Sequence, residues 1–286
     1  MKTVKIIGGL GNQMFQYALL VGLQESSAES VYADISGFHE YHLHNGLELE
    51  SIFGIKLNVN NRCPYLAKKL TLSRYINQYM PFLCGTCQFE YPDFRFVENI
   101  YNSESKKQYY AGYWHHYKYI KPYVRVIRDT FHFSAPDDDN NMETIEAMKN
   151  ENSVGIHVRR GDYLNEAQYQ GICSLDYYAQ GVEIMRKNLK EITFYVFSND
   201  MQWCQENMKP LLGKDKVVYV DWNKGKDSYR DMQLMTYCKG LIIANSSFSW
   251  WGAFLNQRKN NCVIAPKRWK NAKYELKIQM PEWTLI

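Results

Sequence analysis

At 286 residues the chain has length for about two domains of ~150 residues, and 45% hydrophobic with 15% aromatic content supplies a sizeable core, which excludes intrinsic disorder. Its longest apolar stretch, residues 17–23 (YALLVGL), falls well short of the roughly 18 residues of a spanning helix, and the opening MKTVKIIGG meets glycine too early for a secretory leader, so a cytoplasmic protein without an integral membrane segment is expected. The formal charge of +4 is uneven: residues 1–150 carry 15 Lys and Arg against 16 Asp and Glu, and residues 151–286 carry 19 against 14, which without a basic run disfavours nucleic acid and suits a compact phosphorylated ligand held by a few arginines.

In chain order, residues 4–7 (VKII) read as a strand, Gly8-Gly9-Leu10-Gly11-Asn12-Gln13 as a tight turn, and residues 13–24 as an apolar helix. Residues 30–33 read as a second strand ending in Asp34. Residues 40–133 are aromatic and mixed in charge, and they support only a partial α/β assignment. Seven scattered cysteines fit a reducing compartment, and the single CxxC pair, Cys84 and Cys87, lacks the second pair or the histidines that a zinc site needs. Residues 134–141 (SAPDDDNN) read as a linker, which sets an N-terminal domain at 1–136 and a C-terminal domain at 137–286. The triplet Asp137-Asp138-Asp139 is read as solvated loop, because no apolar strand aims its carboxylates at a metal.

Beyond the linker, β-branched apolar runs alternate with stretches of helical period. Strands are expected at 154–158 (VGIHV), 192–197 (ITFYVF), 216–220 (KVVYV), 241–244 (LIIA) and 262–265 (CVIA). Helices are expected at 174–189, 201–208, 227–238 and 249–258. This alternation makes a parallel, doubly wound sheet, whose ligand lies outside the carboxyl ends of the strands. The residues following those strands are therefore candidates: Arg159-Arg160-Gly161-Asp162, Ser198-Asn199-Asp200, Asp221-Trp222-Asn223, Asn245-Ser246-Ser247-Phe248-Ser249 and Pro266-Lys267-Arg268-Trp269.

Three of the segments bear on chemistry. Gly9-Leu10-Gly11-Asn12-Gln13-Met14 matches a dinucleotide fingerprint at two glycines, with Asp34 near the place of a ribose-binding acid, but Met14 stands where glycine or alanine is needed. What remains is a glycine turn offering N–H groups to an anion. In the second segment, strand alternation sends His157 and Arg159 to one face and Val158 and Arg160 to the other. Adjacent buried arginines need anions, so one can pair with Asp162 or another carboxylate while the other clamps a phosphate. The third, Asn245 to Gly252 (NSSFSWWG), opens a helix with hydroxyls and N–H groups, either as a phosphate site or as a plain cap over core tryptophans. Asp200 and Asp221 are carboxylates at strand ends that can accept from a nucleotide or cap helices.

Gly9 to Ala18 (GLGNQMFQYA), His157 to Tyr163 (HVRRGDY) and Asn245 to Ala253 (NSSFSWWGA), in this order, resemble glycosyltransferase family 11, the α-1,2-fucosyltransferases, in a short bacterial form. The resemblance implies two Rossmann-like α/β domains facing across a cleft (GT-B-like), with the C-terminal one binding GDP-fucose and the N-terminal one the acceptor. It implies inversion at the sugar, no required metal or other cofactor, and transfer of L-fucose to the 2-hydroxyl of a terminal β-galactoside, on a glycan that can be lipid-linked and so reached from the inner face of a membrane. It further implies that Arg159 holds the β-phosphate, that Gly11 and Asn12 approach the same pyrophosphate, and that Ser246, Ser247 and Phe248 close around it, with Arg160, Asp200 and Asn245 also at the nucleotide. Asp162 and His157 are the candidate bases. Members often carry glutamate after a GYW segment, where this chain reads Gly112-Tyr113-Trp114-His115-His116, so no carboxylate role carries over there; His115 or His116 could act on the acceptor instead, but an aromatic hinge with exposed histidines is expected. Another linkage such as α-1,6, a nicotinamide-dependent oxidoreductase using the first turn, and a non-catalytic glycan-binding protein are the alternatives.

Overall fold

The computed structural model describes residues 1–40, 44–68, 70–259, 261–273 and 276–286, with the backbone alone of Leu70. The chain divides into two units, Met1–Phe133 with Leu276–Ile278, and Ser134–Glu275 with Gln279–Ile286.

The first unit contains β1 (Lys2–Lys5), α1 (Leu10–Glu25), β2 (Val31–Asp34), α2 (Leu49–Phe53), α3 (Tyr65–Lys68), α4 (Leu70–Tyr79), β3 (Cys87–Phe89), β4 (Tyr109–Ala111) and α5 (Val124–Thr130). Its four strands are parallel, in the order β2-β1-β4-β3. Strand β1 pairs with β2 from Lys2 to Lys5, two residues ahead of the expected 4–7, and both lysines are buried. Lysine reads as surface in a sequence, yet here Lys5 Nζ donates to the Ala67 carbonyl at 2.8 Å. The chain turns at Gly8, whose φ of +97° lies in a region that glycine enters without a Cβ clash. Gly9 is the N-cap and Leu10 already opens α1. The turn is thus shorter than the sequence suggests, and Gly11, Asn12 and Gln13 belong to the first helical turn. Strands β3 and β4, three residues each, are too short to show periodicity, but Cys87, Phe89, Tyr109 and Ala111 build a small core with Ala67 and Cys84. All seven cysteines are free thiols.

The second unit contains α6 (Asp139–Asn150), β5 (Asn152–Val158), α7 (Leu175–Asn188), β6 (Ile192–Ser198), α8 (Met201–Asn207), α9 (Lys209–Leu212), β7 (Lys216–Val220), α10 (Tyr229–Met235), β8 (Gly240–Ile242), α11 (Ser247–Leu255), β9 (Cys262–Ala265) and β10 (Thr284–Leu285). The six strands form a parallel sheet in the order β10-β9-β8-β5-β6-β7. Val154, Ile156, Val158, Phe194, Val196, Ile242 and Ile264 are all but fully buried, as strands covered on both faces require. The five expected strands are present. The sixth, β10, has two exposed residues and no readable pattern.

Helix α6 corrects the linker assignment. The Asp138 side chain accepts from Asn141 N at 2.8 Å and caps the helix, so residues 139–141 are its first turn rather than loop. Helix α11 ends earlier than expected because Asn256 leaves the helix to donate through Nδ2 to the carbonyls of Met235 (3.1 Å) and Cys238 (2.7 Å).

In the second sheet the chain runs outward from β5 to β6 and β7, then returns to β8 on the other side of β5. The order therefore reverses between β5 and β8, where an open α/β sheet binds its ligand. In the first sheet the equivalent reversal lies between β1 and β4. The sequence motifs follow these four strands.

Candidate active site

Beyond β5, the turn carrying the two arginines is fixed by Asn199, whose Oδ1 accepts from Arg160 N at 2.9 Å. Arg160 Nε lies 3.1 Å from Asp200 Oδ2, and its guanidinium sits 3.9 Å from the centroid of the Trp203 ring. Asp200 Oδ1 also accepts from Trp203 N at 3.3 Å, capping α8. Arg160 and Asp200, both expected at the nucleotide, are thus partners that fasten α8 beside β5.

Arg159 is placed differently. Its Nη2 contacts Asp162 Oδ2 at 2.9 Å, and its guanidinium lies 5.6 Å from the Tyr163 ring centroid. Its Nε is buried with no hydrogen-bond partner among the described residues. The same holds for Nδ1 of His157, two residues earlier. The His157 ring packs 5.9 Å from that of Phe248. Burial first and the Arg159 charge second push the imidazole down to about 3, so it is neutral at physiological pH. Two unsatisfied buried polar atoms at one strand end carry a free-energy penalty that a ligand can relieve. Asp162 is half exposed and anchors the guanidinium from the solvent side.

Beyond the neighbouring strand β8, Asn245, expected at the nucleotide, is buried and its side chain is bonded to the scaffold. Its Nδ2 donates to the Trp269 carbonyl at 3.0 Å, its Oδ1 accepts from Cys173 Sγ at 3.4 Å, and its carbonyl accepts from Tyr163 Oη at 3.1 Å. The Ser246 hydroxyl accepts from Phe248 N at 3.3 Å and caps α11. Ser247 and Phe248 are half-buried at the start of that helix, whose N-terminal dipole favours an anion. Trp250 and Trp251 are core.

Asp231, on α10, was not apparent from the sequence. Asn223, just past β7, donates through Nδ2 to Asp231 Oδ1 at 2.9 Å and accepts from Asn141 Nδ2 at 2.7 Å. Burial raises the carboxyl to about 7. The unfolded chain releases this proton near its ordinary value while the folded chain holds it until about 7, so stability falls as pH rises through that window. Asp231→Asn is expected to flatten this decline and to raise stability above pH ~7 by about 1–3 kcal/mol, since each pKa unit is worth about 1.4 kcal/mol and the side chain is partly exposed. Denaturant melts of both proteins across the range, without nucleotide, measure it.

In the first unit, the motif after β1 meets the segment after β4. Gly11 is buried in α1, and Asn12 Oδ1 lies 3.0 Å from His115 Nε2. Gln13 Nε2 donates to the carbonyls of Gly8 (2.8 Å) and Gly46 (2.7 Å), and Gln16 Nε2 to that of Gly112 (2.9 Å). The glutamines of GLGNQMFQ are therefore staples. A carboxylate does reach the segment: Glu90, 1% exposed, accepts from Tyr113 N and His115 N, each at 3.0 Å, and pairs with Arg74. It follows β3, a strand of three residues that is too short to read, and so escaped the reading of the motifs. The histidines expected to be exposed are buried, His115 against Phe15 and Tyr113 at ring distances of 4.8 and 5.4 Å. His116 Nδ1 accepts from Lys118 N at 3.1 Å, and burial followed by nearby lysines pushes this group down to about 4.

Two other expectations resolve by contact. Asp34 is fully buried, accepting from Ser36 N at 2.9 Å and from the Tyr109 hydroxyl, so the nicotinamide reading loses its ribose-binding acid. In the acidic triplet, Asp138 is a helix cap, Asp137 lies 3.8 Å from Arg230, and Asp139 opens α6. Among the described residues no helix is long and apolar enough to cross a membrane.

Comparison with known proteins places this geometry. The family description Glycosyl transferase family 11 matches residues 1–286. An alpha-1,2-colitosyltransferase of Escherichia coli is 31% identical over 93% of this chain and 91% of its own. The O-antigen biosynthesis glycosyltransferase WbnK of the same organism is 28% identical over 96% and 97%. The rat galactoside alpha-(1,2)-fucosyltransferase 2 is 26% identical over 89% of this chain and 67% of its own. Among solved structures, the fucosyltransferase NodZ from Bradyrhizobium superposes with a TM-score of 0.51 at 15% identity, covering 88% of this chain and 92% of that one. That similarity shows the fold, α/β of the GT-B class with parallel sheets. With three motifs at the reversal points of two parallel sheets and a family match from end to end, the chain belongs to glycosyltransferase family 11.

Proposed function

We propose that this glycosyltransferase moves L-fucose from GDP-fucose to the 2-hydroxyl of a terminal β-galactoside, with inversion and without a metal. The observation that carries the reading is the unpartnered, buried Nε of Arg159 at the β5–β8 reversal point. Cleavage of the bond between C1 of the sugar and the β-phosphate oxygen leaves charge on that oxygen, and a guanidinium already in place stabilises it as it develops. Asp162 keeps the fork aimed, while Ser247 and the N-terminal dipole of α11 favour the same diphosphate, and Phe248 packs beside them. The C-terminal unit takes the nucleotide sugar and the N-terminal unit the acceptor.

The acceptor hydroxyl attacks C1 and loses its proton. Asp162 and His157 are the candidate acceptors of that proton: Asp162 is the half-exposed carboxylate beside Arg159, and the His157 imidazole is held neutral by burial and the Arg159 charge. A transition state with oxocarbenium character asks little of the base, because most proton transfer follows bond cleavage.

A second donor is favoured by one observation, the 31% identity to the alpha-1,2-colitosyltransferase. Colitose is L-fucose without its 3-hydroxyl, so GDP-colitose presents the same diphosphate to Arg159. The test incubates the protein with either donor and a panel of β-galactosides, with and without EDTA, and assigns the product linkage by NMR. Fucose on O2 at equal rates with EDTA is the expected product. Transfer from GDP-colitose alone would replace the donor assignment, and no transfer from either would overturn the reading.

A further inference from the structure

Helix α4 is built the wrong way round for a helix facing water. Its polar residues Ser73 and Asn77 point into the first unit, where the Ser73 hydroxyl donates to the Leu66 carbonyl and Asn77 Nδ2 to that of Phe89 at 2.9 Å. Ile76 packs inward beside them, but Leu72, Tyr75 and Tyr79, spaced as one helical face, are exposed. The 3-10 turn Pro81–Cys84 continues from the helix and carries Phe82, 79% exposed, and Leu83, 50% exposed. Tyr65 on α3 is 77% exposed. Of the fourteen large apolar side chains exposed among the described residues, eight lie between Val59 and Leu83. Such concentration on one segment marks an interaction surface.

The charge of the segment identifies the partner. Between Glu50 and Glu90 the sequence contains five Lys and Arg and no Asp or Glu. Lys56, Arg62 and Lys68 are exposed, and Arg74 is neutralised by Glu90. A protein partner matched to this surface would need an apolar and acidic face. A bilayer containing anionic lipid offers both properties over any area, and tyrosines flanking a Phe-Leu tip are the side chains that settle at the headgroup boundary. We propose that residues 56–83 dock this enzyme on an anionic lipid surface, with Tyr75, Tyr79, Phe82 and Leu83 entering the boundary and Lys56, Arg62 and Lys68 meeting the headgroups. The docking is interfacial, since α4 has ten residues, and it is independent of which sugar the enzyme transfers.

The test is co-sedimentation of the full chain with vesicles of phosphatidylcholine alone and of phosphatidylcholine mixed equally with phosphatidylglycerol. The protein is expected to pellet with the mixed vesicles and to remain largely in solution with the neutral ones. F82S/L83S should weaken binding to the mixed vesicles by about tenfold or more, and K56Q/R62Q/K68Q should remove the preference between the two compositions. Both variants change exposed side chains and should melt with the wild type. The proposal is overturned if the wild type binds neither vesicle, or if F82S/L83S binds unchanged. It is equally overturned if ultracentrifugation without lipid shows a dimer that F82S/L83S dissociates, which would assign the face to a second copy of the chain.

Discussion

Arg159→Ala is expected to lower turnover by about a hundred- to a thousandfold, the usual range for deleting one donor aimed at developing charge, while leaving the fold intact. The fold is insensitive because Arg159 is partly exposed and its ion pair, the one it makes among the described residues, is with a half-exposed carboxylate, and such pairs contribute about 0–1 kcal/mol. Arg159→Lys keeps the charge but loses the planar fork and the Nε donor, so it should recover only a small part of the rate. Arg160→Ala behaves in the opposite way. Its partners are Asp200 and the Trp203 ring, so it should reduce melting temperature and affect rate mainly through loss of folded enzyme. Initial rates and circular dichroism melts on the three variants separate these outcomes, and near-normal turnover in Arg159→Ala would remove that residue from the mechanism.

Glu90→Ala should be the most destabilising single change near the candidate site. It deprives the buried N–H groups of Tyr113 and His115 of their acceptor and leaves the Arg74 guanidinium, 14% exposed, without its counter-charge. Removing one partner of a buried ion pair costs about 3–5 kcal/mol, which corresponds to a fall of about 10 °C in the melting temperature of a domain this size. Gly112→Ala should act at the same place, because a Cβ there would lie 2.4 Å from that of Glu90. Differential scanning calorimetry would detect both losses, and a shift under about 2 °C for Glu90→Ala would show that this network does not hold the segment.

The second unit was legible from its sequence because a parallel sheet buried on both faces must spell its strands as apolar runs, and VGIHV, ITFYVF and CVIA do so. Ends were less legible than centres. Where a helix starts depends on side chains such as Asp138, which caps α6 from within a run that otherwise reads as linker. The first unit was obscure for another reason. Strand β1 buries two lysines, β3 and β4 have three residues each, and the acid that organises the site, Glu90, comes from outside every motif. The roles of conspicuous residues also divided in ways that spacing alone does not reveal. Of two adjacent arginines, one is spoken for by Asp200 and Trp203 while the other keeps a buried donor unpaired. Alternation predicted opposite faces for them, but only the positions of α8 and of the Asn199 turn determine which one is left over.

The claim on which the mechanism depends is that Arg159 binds the terminal phosphate of the nucleotide without a metal. Calorimetric titration of GDP and GMP into the wild type and Arg159→Ala, all in EDTA, tests it most directly. The wild type should bind GDP at least about tenfold more tightly than GMP, a difference of about 1.4 kcal/mol, and the variant should bind the two alike. A variant that kept the full preference for GDP would contradict the account.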